Sequence, residues 1–315
     1  MGRTLRKEVE ASINLKKAEQ FLDMDSHPTG RSKKERRYRQ WALRNCLFLN
    51  PLNDLGPHAI AAQDILSLPS FTTSTDEFPQ LFGFFNQLKQ EFVSGRWLLY
   101  DGLHSEDVHF SDRRVSLVNT LDYPTYSLAI EKVKAAYRIG YSILDKIAYF
   151  LNEYAALGVK PRDVYFKTIW YEKGNAQQRV VREQFALSKN LPLRGLYWLA
   201  KDLFDPELQG VMEPDAQELY TIRNRLEHSY LKVHDMLISR SGTDALSRMF
   251  TDRLAHSVAR DDFQAKTLQV YKLARSALIY LSLGMHREEQ RRAAGKLGEL
   301  VAPMLLHPWR DSDKR

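Results

Sequence analysis

A single cysteine in 315 residues, Cys46, rules out an internal disulfide and a thiolate metal centre built by this chain alone. Its expected role is that of a buried structural thiol in a reducing compartment. Long apolar runs are missing too. No stretch approaches the roughly eighteen apolar residues that a membrane helix needs, and the opening MGRTLRKEVEASINLKK has no apolar centre of the kind a signal peptide carries. The expectation is a cytoplasmic protein with no membrane contact. There is no Gly-rich phosphate loop and no paired acidic site of the kind phosphotransferases use. His234, His256 and His286 stand in no metal-ligand spacing and read as surface or core histidines. Neither a metal nor a cofactor is expected.

What is present suffices for a folded protein, since 43% hydrophobic and 11% aromatic residues can fill one large core or two modest ones. Most apolar positions recur at three- and four-residue spacing, which predicts an all-α chain. A short amphipathic helix is expected around Ile13 to Leu22. Leu81, Phe84, Phe85, Leu88, Phe92 and Leu98 mark a helix over 77–99, and a very long one over 124–157 is its antiparallel partner in a bundle. Further helices are expected over 194–204, 261–283 and 286–306. Two brief extended segments are expected between His104 and Asn119. Residues 158–192 read as an excursion of loops with a short helix or strand pair, whose Arg162, Lys167, Lys173, Arg179, Arg182 and Lys189 are candidates to line an RNA path. The chain therefore divides into a basic N-terminal extension over 1–70 packed on or flanking the core, a helical bundle over 77–306 with a small extended insertion, and a charged tail over 307–315.

The net charge of +7 is local. Residues 1–50 hold twelve Lys or Arg against six Asp or Glu, so +6 of the +7 lies there. Lys33, Lys34, Arg36, Arg37 and Arg39 are the candidate contacts to an RNA backbone, with Tyr38 or Trp41 available to stack on a base. The competing reading is a solvated helix face whose aromatics anchor it to the body. In the turn from Asn50 to Pro57, Asn53 and Asp54 are expected to cap and brace rather than to act.

The densest polar chemistry lies between Pro214 and Ser239, read as one helix whose apolar stripe runs through Leu219, Ile222, Leu226, Tyr230, Val233 and Leu237. On its flank stand Arg223, Asn224 and His228. Asn224 and His228 are four residues apart and share a face, and Arg223 lies about 100° round from Asn224. An imidazole, a guanidinium and an amide suit an anionic substrate, above all a phosphodiester, with Arg223 binding the phosphate and His228 moving a proton. Asp145 and Lys146 interrupt a nearly apolar stretch, where a charge is costly unless paired. Either one of them tunes Arg223 or His228, or they reflect an interhelical salt bridge or a snorkelling Lys.

Arg223-Asn224-Arg225-Leu226-Glu227-His228 resembles the Arg-(Asn/Asp/His)-x3-His motif of HEPN domains, a helical superfamily rich in ribonucleases of microbial defence and RNA processing. The segment from Ala136 to Tyr154 is similar to their long early helix, and that from Asp261 to Leu283 to a closing one. The resemblance implies an all-α, HEPN-like bundle acting as a metal-independent endoribonuclease. It also implies a homodimer in which two motif helices meet across a two-fold axis, in antiviral defence or a toxin–antitoxin system. Arg223, Asn224 and His228 are then the catalytic set, with Asp145, Tyr230 and Glu227 as supporting or regulatory residues. On geometry too, residues five apart point about 140° apart on a helix, so two antiparallel copies enclose a phosphate where one does not. Certain HEPN toxins carry Arg-x4-His-x-Tyr, and Arg223, His228 and Tyr230 match it; there the Tyr is nucleotidylated by a partner antitoxin. The plainer reading of Tyr230 is a core tyrosine of the apolar stripe. The expected partners are RNA, a second copy, and an antitoxin or sensor protein. The alternative is a non-catalytic HEPN-like module for RNA or nucleotide binding and dimerisation.

Overall fold

The computed structural model describes residues 27–72, 78–172, 180–204, 215–235, 252, 254–294, 304 and 306–314. Of these, 61% are helical, and the only strands are two of four residues each, so the bundle is all-α as expected. The helix expected near Ile13 to Leu22 lies outside the described residues. Helix α1 (Lys33–Arg44) begins where the Ser32 hydroxyl accepts the Glu35 N–H at 3.0 Å, while the Glu35 carboxylate accepts the Arg31 N–H at 2.8 Å. Helices α2 (Gln80–Leu103) and α3 (Leu128–Tyr154) form the expected antiparallel pair. Lys132 meets Asp101 at 2.6 Å at one end, Lys146 meets Glu91 at 2.5 Å further along, and Phe84 packs on Phe150 at the other.

The one-turn α4 (Glu183–Ala186) and α5 (Leu191–Phe204) follow, then α6 (Ala216–His228), β1 (Leu231–His234), β2 (His256–Ala259) and the long α7 (Arg260–Ala294). A single core joins them. Leu88, Phe92 and Leu99 of α2 are fully buried together with Val133, Ile143 and Ile147 of α3 and Ala274, Leu278 and Leu281 of α7. Helices α2, α3 and α7 approach closely at two glycines. A Cβ at Gly95 would collide with the Tyr271 hydroxyl, and one at Gly140 would stand 2.9 Å from Val270 and 3.1 Å from the Tyr271 ring. That hydroxyl is buried without a hydrogen-bond partner among the described residues.

Residues 42–68 share this core, and two buried arginines hold them there. Arg96, 2% exposed, donates to Tyr38 Oη at 2.7 Å, to the Leu47 carbonyl at 2.7 Å and to both Asp64 oxygens at 2.9 and 2.7 Å. Arg275 donates to the Phe48 and Asn50 carbonyls and pairs with Asp54 at 2.6 Å. Asn53 is fully buried, accepting the Phe48 N–H and donating to the Leu43 carbonyl. The turn is therefore braced, as expected. Cys46 is half-buried rather than buried, at φ +54°, with its thiol against the Asn53 carbonyl at 3.6 Å.

Three expectations of secondary structure also need correction. The helices expected over 261–283 and 286–306 are one, α7, as far as Ala294, with 295–303 and 305 outside the described residues. Gly284 does not break it, because Leu193 packs where a Cβ at Gly284 would stand, 3.0 Å away, and the Asn190 amide binds the Gly284 carbonyl at 2.8 Å. Between His104 and Asn119 the ordered element is a 3-10 turn, Phe110–Asp112, and no strand forms there. The extended structure lies elsewhere, as the parallel pair β1 and β2, with Val233 opposite Val258. The helix expected from Pro214 to Ser239 accordingly stops at His228. Leu231 and Val233 are as well buried in a strand as in a helix, and pairing with a segment some 25 residues later decides the matter.

Candidate functional site

Helix α6 turns Ala216, Leu219, Ile222 and Leu226 to the core, and side chains from α3 and α7 fix it at three levels. Near its start, Lys266 of α7 pairs with Asp215 and with Glu218 at 2.9 Å. At mid-length the buried Tyr137 hydroxyl donates to the Leu219 carbonyl at 2.6 Å. At its end Arg138 donates to the Leu226 carbonyl at 2.6 Å and stands 3.8 Å from Glu227. A cation at the carbonyl end of a helix opposes the partial negative charge there. Glu227 is exposed and its described partner is Arg138, so it braces that clamp.

Arg223 and Asn224 are half-buried and His228 is exposed as the last helical residue. The Arg223 guanidinium donates to Asn224 Oδ1 at 3.1 Å and lies 5.9 Å from the centre of the Tyr141 ring. Asn224 and His228 share the outer face of α6, while Arg223 lies on the edge next to α3. Asp145 stands behind Arg223. Burial raises its carboxyl above the ordinary value, against the opposing pull of the Phe166 N–H, 3.0 Å away, and of the Arg223 charge. Lys146, by contrast, belongs to the salt bridge with Glu91.

Beyond His228 the chain turns at Ser229, whose hydroxyl accepts from Arg225 at 3.2 Å. Tyr230 is neither helical nor a core residue: it is 39% exposed, and its hydroxyl lies 3.0 Å from that of Tyr126. That departs from a place in a buried stripe; Leu237 lies outside the described residues. His256 of β2 sits on the Arg225 side of α6. Burial, and next the Arg225 charge, lower its imidazole below the ordinary value, Glu218 opposes them, and its Nε2 is buried with no partner among the described residues. His234 is buried, with its ring between the Asp122 carbonyl at 3.0 Å and the Ser257 hydroxyl at 3.2 Å, and His286 reaches the Ser67 carbonyl at 3.2 Å.

The basic helix is only partly free. Arg39 pairs with Glu35 at 3.1 Å and donates to the Ala62 carbonyl at 2.6 Å, and Arg36 donates to the Gly30 and Arg31 carbonyls. Lys34 lies over the Trp97 ring. Tyr38 is held by Arg96, and Trp41 packs on Tyr100 with ring centres 5.3 Å apart, so neither stands out to stack on a base. Lys33 and Arg37 remain exposed. Helix α1 packs on α2, and among the described residues no hydrogen bond, ion pair or ring contact joins it to α6. In the excursion, Arg182 is buried and donates to the Ile169 carbonyl at 2.9 Å, and Lys173 and Arg179 lie outside the described residues. Sequence reasoning missed Arg138, Tyr126, Lys232 and Asp122. Arg138 had a signal, since it lies three residues before Tyr141 and seven before Asp145, on one face of α3.

Among the described residues no helix is long and apolar enough to cross a membrane. The family model described as LA2681-like HEPN matches residues 72–288, a span that holds α2 to β2, most of α7 and all of Arg223, Asn224 and His228. No curated protein and no solved structure was found to match the chain.

Proposed function

The chain belongs to the LA2681-like HEPN family, and from that membership we propose that it is a metal-independent endoribonuclease whose working form is a homodimer. The observation that carries this reading is the placement of Asn224 and His228 on one face of α6, with His228 exposed at its end and Arg223 held beside them by Asn224 at 3.1 Å. Arg223 and His228 stand on opposite edges of that face, so a phosphate gripped by one copy is reached by the imidazole of another.

In the proposed reaction the ribose 2′-oxygen attacks the adjacent phosphorus, and the bond to the leaving 5′-oxygen breaks. One His228 takes the 2′-hydroxyl proton, and the partner subunit's His228 supplies a proton to the 5′-oxygen. Arg223 binds the phosphorane oxygens, where two parallel N–H donors match two oxygens, and Asn224 keeps the guanidinium aimed. The products are a 2′,3′-cyclic phosphate and a 5′-hydroxyl. Such an activity is toxic to its own cell, which fits a role in defence or in a toxin–antitoxin pair under the restraint of a partner.

The test is incubation of wild type and His228→Ala with total RNA in EDTA, followed by identification of the new ends. Cutting that leaves 5′-hydroxyl ends and vanishes in the variant supports the reading. Cutting by both proteins alike, or by neither when both are folded and dimeric, refutes it in favour of a binding module.

A further inference from the structure

Two residues beyond His228, a small structure has been built at some energetic cost. Lys232 of β1 is 3% exposed, an expensive place for an ammonium, and it is held by Asp122 at 2.5 Å and Asp252 at 2.8 Å. Asp122 belongs to the loop between α2 and α3. Both of its neighbours, Leu121 at φ +65° and Tyr123 at φ +51°, adopt the left-handed conformation that bulky side chains avoid. That backbone turns Asp122 inward while Leu121 and Tyr123 stay exposed. The loop is then laid along β1 by the Thr125 N–H on the Val233 carbonyl at 2.7 Å and by His234 on the Asp122 carbonyl at 3.0 Å.

The buried cluster joins the loop that carries Tyr126 to the strand that follows Tyr230. The two tyrosines meet hydroxyl to hydroxyl at 3.0 Å with rings 44% and 39% exposed, and the Lys232 ammonium lies 5.4 Å from the centre of the Tyr230 ring. A core would have buried these rings. Here the ion cluster around the buried Lys232 and a strained turn hold them in place and open.

We propose that Tyr126 and Tyr230 form a nucleobase-stacking platform beside His228, with Lys232 and Asp122 as its positioning residues, and that the substrate is single-stranded RNA whose unstacked base lies on these rings. This rests on the ribonuclease reading for its orientation along the RNA. Every base has a flat face, so an aromatic platform binds any sequence, but only where the base is already out of a duplex stack. Rigidity matters because an aromatic surface fixed beforehand loses little freedom on binding.

The test uses the full chain and a fluorescein-labelled single-stranded DNA of about twelve nucleotides, which offers the same bases and phosphates but lacks the 2′-hydroxyl and stays whole. Binding is followed by anisotropy over a salt series, with the matching duplex as a second probe. Tyr230→Ala and Tyr126→Ala are each expected to weaken single-strand binding about tenfold with the salt slope unchanged, because no phosphate contact is lost. Tyr230→Phe keeps the aromatic face and most of the affinity. Tyr230→Leu, which keeps an apolar side chain without an aromatic face, replaces Tyr230→Ala if that variant fails to fold.

Alanine variants that bind as tightly as wild type overturn the proposal, as does a Phe variant that loses as much as Ala, or a salt slope that falls together with the affinity. The two readings fail separately. If wild type cuts no RNA yet the tyrosine series behaves as stated, the platform stands and the nuclease falls. If both alanine variants cut RNA with an unchanged kcat/KM, the nuclease stands and the platform falls.

Discussion

Tyr271 places its hydroxyl where a side chain at Gly95 would begin, so the two positions should behave as one. Gly95→Ala in the wild-type background drives a methyl into an oxygen that has nowhere to go. The Tyr271 ring is held between Phe92, with ring centres 5.4 Å apart, and the bare face of Gly140. Overpacking of this kind costs about 1–3 kcal/mol. Tyr271→Phe alone removes a buried hydroxyl with no partner, which relieves about 1 kcal/mol or more of desolvation and leaves only a small gap. In the double variant the methyl takes the space of the lost oxygen, and its nearest neighbours are Ile139 at 3.0 Å and the ring edge at 3.1 Å. Alanine also favours the helix over glycine by about 0.5–1 kcal/mol. The expected result is a destabilised Gly95→Ala, a Tyr271→Phe at or above wild type, and a double variant close to Tyr271→Phe, with a coupling of about 2 kcal/mol. Urea denaturation of the four proteins, with equal m values, measures it. Effects that add to within about 0.5 kcal/mol would refute the reasoning, since residues without a shared contact behave that way.

The remaining predictions concern the surface and the frame of the site. Arg37→Ala should weaken RNA binding and lower its salt slope with stability unchanged, whereas Arg39→Ala, which orphans the Ala62 carbonyl, should cost about 1–2 kcal/mol of stability in the same urea assay. The His256 imidazole lies below its ordinary value of 6.5 in the folded protein, so the unfolded chain binds the extra proton. Its contribution is absent above that value and grows as a loss of stability as pH falls through it. Urea midpoints at about pH 7.5 and about pH 5.5 should therefore differ less in His256→Gln than in wild type. Arg138→Ala should lower the rate of RNA cleavage by loosening the end of α6, and Arg138→Lys should restore part of it, because an ammonium still reaches the Leu226 carbonyl. Equal kcat and KM in all three proteins would show that the clamp has no part in the reaction.

The bundle was legible wherever the local pattern and the tertiary outcome agree. The apolar positions of α2 and α3 recur at helical spacing and pack on each other, and Ser32 and Ser127 sit where helices start. The pattern misled where a distant partner decides. Leu226, Tyr230 and Val233 continue a helical spacing, yet the chain leaves the helix at His228 because Leu231 to His234 pair with His256 to Ala259. The helices expected over 261–283 and 286–306 are one, and Leu193, which packs against Gly284 at the expected gap, comes from another helix. Lys33 to Arg39 read as one basic surface, although two of its five charges are tied to backbone carbonyls that no local pattern reveals.

The same distinction divides the candidate site. Arg223, Asn224 and His228 lie within six residues of one helix, so their spacing alone states their relative placement. The frame that aims them is not contiguous. Tyr137, Arg138, Tyr141 and Asp145 present one side of α3 to α6, respectively binding the Leu219 carbonyl, clamping the Leu226 carbonyl, lying against the Arg223 guanidinium and standing behind its charge. Their spacing was visible along the long helix, but their meaning depends on which helix lies opposite. A helix that stops at His228 leaves its last carbonyls unpaired, and Arg138 supplies a donor at that point. The exposure of His228 and the clamp of Arg138 are thus two consequences of one event, the departure of the chain from α6 into β1.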